Sequence, residues 1–103
     1  MVKVSVLYPN GKDTKFDMKY YIDRHIPLVR QLLGTALKGV SVEQGISGEE
    51  QGSPAPYIAM AHLLFDSLED FQTSFGPHAP AMIADIPNYT KSEPTIQISE
   101  VKL

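Results

Sequence analysis

The chain contains no cysteine, so disulfide bonds, thiolate nucleophiles and cysteine-based metal sites are all excluded. A protein without disulfides suits a reducing compartment, which predicts a cytoplasmic location. Long apolar runs are also missing. No window approaches the roughly 20 apolar residues of a membrane span, and residues 1–8 lack the apolar run of a signal peptide. We therefore expect a cytoplasmic protein that does not associate with a membrane.

Positive charge is sparse and scattered. The chain has 9 Lys and Arg residues against 12 Asp and Glu residues, a formal net charge of -3 and an isoelectric point near 5.5. Nucleic-acid binding needs clustered cations that face the phosphates, so no nucleic-acid partner is expected. A Gly-rich phosphate loop and a Gly-x-Ser-x-Gly elbow are absent as well, which leaves nucleotide, flavin and serine-hydrolase chemistry without support.

What the chain does contain is an ordered series of strand and helix patterns. Alternating apolar residues predict four strands, at Val2–Tyr8, Leu37–Ile46, Tyr57–Phe65 and Thr95–Val101. Helical patterns run from Asp17 to a C-cap at Gly34, from Ser67 to Phe75, and from Pro80 to Ile86. The order βαββαβ predicts a single α+β domain over residues 1–103, a ferredoxin-like plait with both helices on one face of an antiparallel sheet.

The third strand is apolar on both faces. If the small residues Ala59 and Ala61 face the helices, then Ile58, Met60 and Leu64 lie on the opposite face. The chain has no further element to cover that face, and an exposed apolar patch of this size marks an interaction site. A second copy related by twofold symmetry would cover it. We therefore predict a homodimer through the open sheet face, which makes a dimeric α/β barrel.

The first helix places a histidine at a predicted break. Asp17 is a good N-cap, and Pro27 removes a helical hydrogen bond, so the helix should kink near His25. An imidazole there either satisfies freed backbone groups or points into a cleft. Histidine holds or releases a proton near neutral pH, which suits proton abstraction beside a carbonyl, so His25 is the leading catalytic candidate. One helical face would carry Met18, Tyr21, His25 and Leu28.

Two further histidines are candidates. His62 lies on the even face of the third strand, which is assigned to the barrel interior, and is predicted to assist His25; the alternative is a buried polar group with a partner. His78 follows the second helix, on a loop that either rims the cleft or is exposed to solvent. The three histidines have no metal-motif spacing and no carboxylate accompanies them in a recognisable pattern, so no metal is expected.

Hydroxyl groups and a thioether complete the predicted site. Tyrosines can donate hydrogen bonds to a developing enolate, although they are equally common as core residues. The residues expected to bind substrate are Tyr8, Tyr21, Met60, His78 and Tyr89. Asp66, like Asp17, is interpreted as a helix cap, and Ser67 to Asp70 fits a capping box at the start of the second helix.

Three motifs make the sequence similar to a known family. They are Phe16-Asp17…Tyr20-Tyr21…His25-Ile26-Pro27-Leu28-Val29, Phe65-Asp66-Ser67-Leu68-Glu69, and Ala84-Asp85-Ile86-Pro87-Asn88-Tyr89-Thr90. On these the chain resembles the EthD family of the dimeric α+β barrel superfamily, which is named for its association with ethyl tert-butyl ether degradation. The resemblance implies a ferredoxin-like protomer and a barrel formed by two subunits. Superfamily members include polyketide cyclases, muconolactone-type isomerases, cofactor-free monooxygenases and haem-degrading proteins, so the resemblance leaves the reaction undefined.

Three functions remain open from the sequence. The first is an isomerase or cyclase without a tightly held cofactor, acting on a small apolar carbonyl, lactone or aromatic compound with histidine as general acid and base. The second is a non-catalytic accessory protein that binds a small hydrophobic compound. The third is haem handling, which a titration followed by Soret absorbance would reveal.

Overall fold

A computed structural model describes all residues from 1 to 103, and its element order agrees with the sequence patterns. The strands are β1 (Val2–Pro9), β2 (Gly39–Gln44), β3 (Tyr57–Phe65) and β4 (Thr95–Glu100). The helices are α1 (Met18–Tyr20), α2 (Ile26–Leu33), α3 (Leu68–Phe75) and α4 (Ala79–Asp85). A π-helical segment (Tyr21–His25) joins α1 to α2, and 3-10 turns lie at Gly34–Ala36, Gly76–His78 and Ile86–Asn88.

The four strands form one antiparallel sheet in the order β2-β3-β1-β4. The apolar strand β3 lies inside the sheet, between β2 and β1. Its odd positions, from Ala59 to Phe65, are buried under the helices, whereas its even positions are only half-buried. The α+β ferredoxin-like architecture with helices on one face is therefore confirmed.

Element ends differ from the predictions by one or two residues. Strand β2 is two residues shorter at each end than predicted, because a 3-10 turn precedes it and the irregular loop from Gly45 follows it. Asp17 caps α1 by accepting from the Tyr20 amide (3.0 Å), and Gly34 ends α2 with a φ of +59° that favours glycine. The prediction that Asp66 is a cap is wrong, whereas the capping-box pattern is confirmed at Ser67, which caps α3 by accepting from the Asp70 amide (3.0 Å).

The predicted helix break is a π-helical turn. The amide of Ile26 bonds to the carbonyl of Tyr21, five residues back, so one extra residue is accommodated just before Pro27. The extra residue rotates the buried face, which after the turn carries Ile26, Val29 and Leu33. The predicted continuation of that face through Leu28 is therefore wrong, while Tyr21 and His25 are buried as expected.

The helix side of the sheet holds two hydrophobic clusters. One surrounds Phe65 and Phe71, whose rings meet edge to face at 5.2 Å between centroids. The other is aromatic and contains Tyr8, Tyr21 and Tyr89. None of the helices has the length and apolarity that crossing a bilayer requires. The second cluster borders a cavity, where four of the predicted site residues lie together: Tyr8, Tyr21, His25 and Tyr89.

Candidate functional site

A small apolar cavity lies between the sheet and the helices. Its volume is about 60 Å³, which is the room of roughly four to six water molecules. Of its 15 lining residues 13 are hydrophobic, and none is Lys or Arg. The polar atoms come from His25 and from tyrosines at one end. A cavity of this kind favours an uncharged ligand that presents one polar group.

His25 is held at this end by a carboxylate from α4. Its Nδ1 atom lies 2.9 Å from Oδ2 of Asp85, and the two side chains are only 7% and 14% exposed. The other carboxylate oxygen accepts from the Tyr20 hydroxyl (2.7 Å) and from the Asn88 amide (2.9 Å). Because an ionised carboxylate can only accept, Nδ1 carries the proton of the neutral imidazole. The Nε2 lone pair is then free to accept a proton on the cavity side.

Burial and hydrogen bonding set the charges of this pair. Burial lowers the pKa of His25 and outweighs the hydrogen bond and negative charge of Asp85, which raise it. Burial by itself would raise the pKa of Asp85, but the hydrogen bonds from Asn88, Tyr20 and His25 together hold it below its ordinary value. At neutral pH the site therefore contains a neutral imidazole beside an ionised carboxylate. That is the protonation state of a general base with a fixed tautomer.

Two buried tyrosines continue the hydrogen-bond chain from His25, and a third packs against them. The Tyr89 hydroxyl lies 3.5 Å from Nε2 of His25 and 2.7 Å from the Tyr8 hydroxyl, and the Tyr21 ring meets the Tyr8 ring edge to face at 5.9 Å between centroids. The Tyr21 ring also stacks on the imidazole at 5.1 Å between centroids. Burial raises the pKa of all three phenols. They stay protonated at neutral pH and serve as hydrogen-bond donors rather than bases.

The predicted site residues on β3 lie elsewhere. Met60 and His62 project from the open face of the sheet, away from the cavity, because side chains alternate along a strand. His62 is bonded there to Ser5 Oγ through Nδ1 (2.8 Å) and to Glu43 through Nε2 (3.1 Å). The expectation that His62 assists His25 is therefore wrong within one chain. The sheet separates the two imidazoles.

His78 also stays apart from the cavity. It lies half-buried in the 3-10 turn between α3 and α4 and is not among the lining residues. The three histidines thus occupy three separate surroundings. No group of three or more His, Asp or Glu side chains is close enough to hold a metal ion.

The main residue of the candidate site that the sequence did not identify is Asp85. It lies 60 residues from His25, so no local spacing connects the two. The sequence pattern pairs no carboxylate with the histidines, whereas the structure places Asp85 beside His25 and Glu43 beside His62. The available signal was the segment Asp85-Ile86-Pro87-Asn88-Tyr89, which also supplies two of the site's other polar groups.

Replacing Asp85 with Asn is expected to lower the free energy of unfolding at pH 7 by about 1–3 kcal/mol, because it removes a charged acceptor of three hydrogen bonds. The hydrogen bonds hold the folded-state pKa of Asp85 below its ordinary value. The carboxylate therefore stabilises the fold above that value, and the contribution is lost as pH falls through the folded pKa. Urea unfolding at a series of pH values checks this.

Asp23 offers a matched control, since its carboxylate pairs with Lys19 on the exposed helix surface. Asp23→Asn is expected to change stability little at any pH. An Asp85→Asn protein as stable as wild type at pH 7 would contradict the assigned hydrogen bonds.

Comparisons with known proteins agree with this architecture. The EthD domain matches residues 10–93. The crystal structure of an EthD-like protein from Ralstonia eutropha is 40% identical, with a TM-score of 0.94, and the match covers 99% of this chain and 92% of that one. An ethyl tert-butyl ether degradation (EthD) family protein from Bacillus halodurans is 22% identical (TM-score 0.74, 99% of both chains).

A third solved structure shares the fold alone. It is a dimeric protein of unknown function with a ferredoxin-like fold from Bacteroides fragilis, 14% identical, with a TM-score of 0.61 over 97% of this chain and 95% of that one. Among curated proteins no significant match was found. The matched domain spans most of the chain, and the 40% identity covers nearly all of it. The chain therefore belongs to the EthD family.

Proposed function

We propose that this EthD-family protein is an enzyme that moves a proton on a small, uncharged, mostly apolar carbonyl compound, as an isomerase or cyclase without a tightly held cofactor. The observation that carries the proposal is the orientation of His25. Its Nδ1 is engaged by Asp85, and its Nε2 is directed toward Tyr89 in the apolar cavity. A buried base with a fixed tautomer, next to hydroxyl donors, is the arrangement that enolate chemistry requires.

The proposed step begins with a carbonyl compound whose oxygen faces the Tyr89 hydroxyl. Nε2 of His25 takes the proton from the adjacent carbon, the C–H electron pair forms a C=C bond, and the carbonyl oxygen gains the negative charge. Asp85 stabilises the imidazolium through the bond to Nδ1. The imidazolium then returns the proton, to the same carbon or to another one. The second case is an isomerisation, and attack of the enolate on an internal electrophile is a cyclisation.

The tyrosines would stabilise the enolate. The distance of 3.5 Å between the Tyr89 hydroxyl and Nε2 of His25 is long for a hydrogen bond, so the Tyr89 proton can turn toward a substrate oxygen. Tyr8 donates to the oxygen of Tyr89 in that arrangement (2.7 Å), which strengthens Tyr89 as a donor. The raised pKa values of both phenols mean that neither gives its proton away completely. Their role would be to lower the energy of the charged intermediate.

The experiment that tests the proposal is exchange of α-hydrogens of simple ketones with solvent deuterium, followed by NMR. We expect the protein to accelerate exchange above the buffer rate. Because burial lowers the pKa of His25 below its ordinary value, kcat/KM should rise with pH and reach its plateau at a lower pH than an exposed imidazole would give. Binding of ketones without any acceleration would instead support the second candidate, a non-catalytic protein that holds a small hydrophobic compound, which the apolar cavity lining also favours.

We also propose that two copies associate through the open sheet face. Leu7, Ile58, Met60 and Leu64 all project from that face, beside the polar group of Ser5, Glu43 and His62. The Bacteroides fragilis relative with this fold is described as dimeric. Sedimentation should therefore give a dimer for the wild type and a monomer for Met60→Lys, with Ile46→Lys, on the exposed loop after β2, as the control that stays dimeric.

A further inference from the structure

The cavity is closed at the His25 end and has an apolar mouth at the other. The mouth is formed by Ile83 of α4 and Ile96 of β4, which line the cavity and yet are 60% and 52% exposed. Large apolar side chains at the rim of a pocket stay in contact with water until a ligand or a partner covers them. Ile83 and Ile96 are therefore placed to contact any part of a ligand that extends out of the cavity.

The apolar surface continues from the mouth along the edge strand. Ile98 follows Ile96 on the same face of β4, since the two lie opposite Val4 and Val6 of β1. Ile98 is 45% exposed and borders a groove together with Leu68 at the start of α3, which is 46% exposed. The helices cover β3 but leave β4 open on this side. We call Ile83, Ile96, Ile98 and Leu68 the exit strip.

The charges around the cavity exclude an anionic head group. The inner end faces the ionised Asp85 through His25, and no cation lines the cavity. A carboxylate or phosphate would lose its hydration there without gaining a partner, whereas an uncharged polar group would not meet this penalty. The outer groove beside Ile98 is bordered by Asp66 and Glu100, which are paired with Lys38 (3.8 Å) and Lys102 (3.3 Å), so the exclusion of an anion rests on the cavity.

We infer that the ligand of this site is an uncharged carbonyl compound with an unbranched alkyl tail, and that the tail leaves the cavity between Ile83 and Ile96 and lies along the exit strip. The inference rests on the proposed function for the position of the carbonyl head. The cavity itself has the room of roughly four to six water molecules, so a head with a few carbons fills it. Longer chains have to follow the strip.

The proposal is tested with a homologous series of methyl n-alkyl ketones, from methyl propyl ketone to methyl nonyl ketone, titrated by calorimetry. Each methylene removed from water should tighten binding by about two- to fourfold, depending on how fully the strip covers it. In the wild type the gain should continue from the shortest to the longest ketone. In Ile96→Asp and Ile98→Asp the gain in affinity should stop once the cavity is filled. In the wild type, decanoate should bind more weakly than the methyl ketone with the same number of carbons.

Ile46→Asp is the matched control, because Ile46 is 96% exposed on a loop away from the cavity and is expected to keep the full gain. A wild-type gain that stops at short ketones overturns the tail assignment but leaves the proposed function standing. Lack of α-hydrogen exchange with the chain-length gain intact overturns the reaction and keeps the tail assignment. If sedimentation shows that the Ile96 or Ile98 variant changes its oligomeric state, the strip is a subunit contact and the inference fails.

Discussion

Replacing His25 with Gln is expected to lower the rate of α-hydrogen exchange by about 10²–10⁴-fold, which is the usual contribution of a positioned general base. Glutamine can keep a hydrogen bond to Asp85 but has no group that accepts a proton near neutral pH. The neighbouring aromatic packing should therefore remain while the chemistry is lost. The comparison is made by NMR exchange rates alongside calorimetric affinity for the same ketone, which is expected to change by less than about tenfold.

His78→Gln is the control for this experiment. His78 lies in the turn before α4 and outside the cavity, so its loss is expected to leave both the rate and the affinity unchanged. If His25→Gln exchanges hydrogen as fast as the wild type, His25 is not the base. If the substitution mainly weakens folding, measured by thermal unfolding, His25 is a structural group of the π-helical turn.

Phe65→Ala is expected to lower the free energy of unfolding by about 3–5 kcal/mol, the largest effect on stability that we expect from a single substitution. The Phe65 side chain is fully buried at the end of β3 and packs edge to face against Phe71 of α3, so its loss leaves a cavity between sheet and helices. Small domains are stable by only about 5–15 kcal/mol in total. Urea unfolding monitored by circular dichroism measures the change.

Leu64→Ala provides a neighbouring control for that substitution. Leu64 precedes Phe65 in the same strand but projects from the open face, where it is only half-buried in the protomer. Leu64→Ala should lower the free energy of unfolding clearly less than Phe65→Ala does, when both are measured at protein concentrations low enough for the protomer to be monomeric. Equal losses for the two variants would show that both faces of β3 are packed alike, in conflict with a one-sided helix layer.

Strand β3 shows how one element can serve two purposes. Its odd positions, including Ala61 and Leu63, line the cavity, and its even positions form the open face proposed for dimerisation. The strict alternation of side chains keeps the two surfaces apart. A ligand site inside each protomer and a subunit interface on the other face can therefore exist together without sharing residues.

The fold followed from the sequence because its determinants are local. Alternating residues in β3, the caps at Asp17 and Ser67 and the glycine at the end of α2 act over a few neighbouring positions. Besides the Asp66 cap and the ends of β2, the rotation of the helix face after His25 was missed, since a π-helical turn inserts one residue without any sequence signal beyond Pro27.

Part of the candidate site could be predicted from the sequence and part could not, for a physical reason. The sequence by itself determined that His25 lies at a helix break, that tyrosines accompany it, and that β3 has two apolar faces. Only the tertiary structure decided that Asp85 is the partner of His25 and that His62 lies across the sheet. Hydrogen bonds between residues 60 positions apart depend on how α4 packs against the π-helical turn, and the face of a strand residue depends on which side the helices cover. Neither is encoded in local spacing.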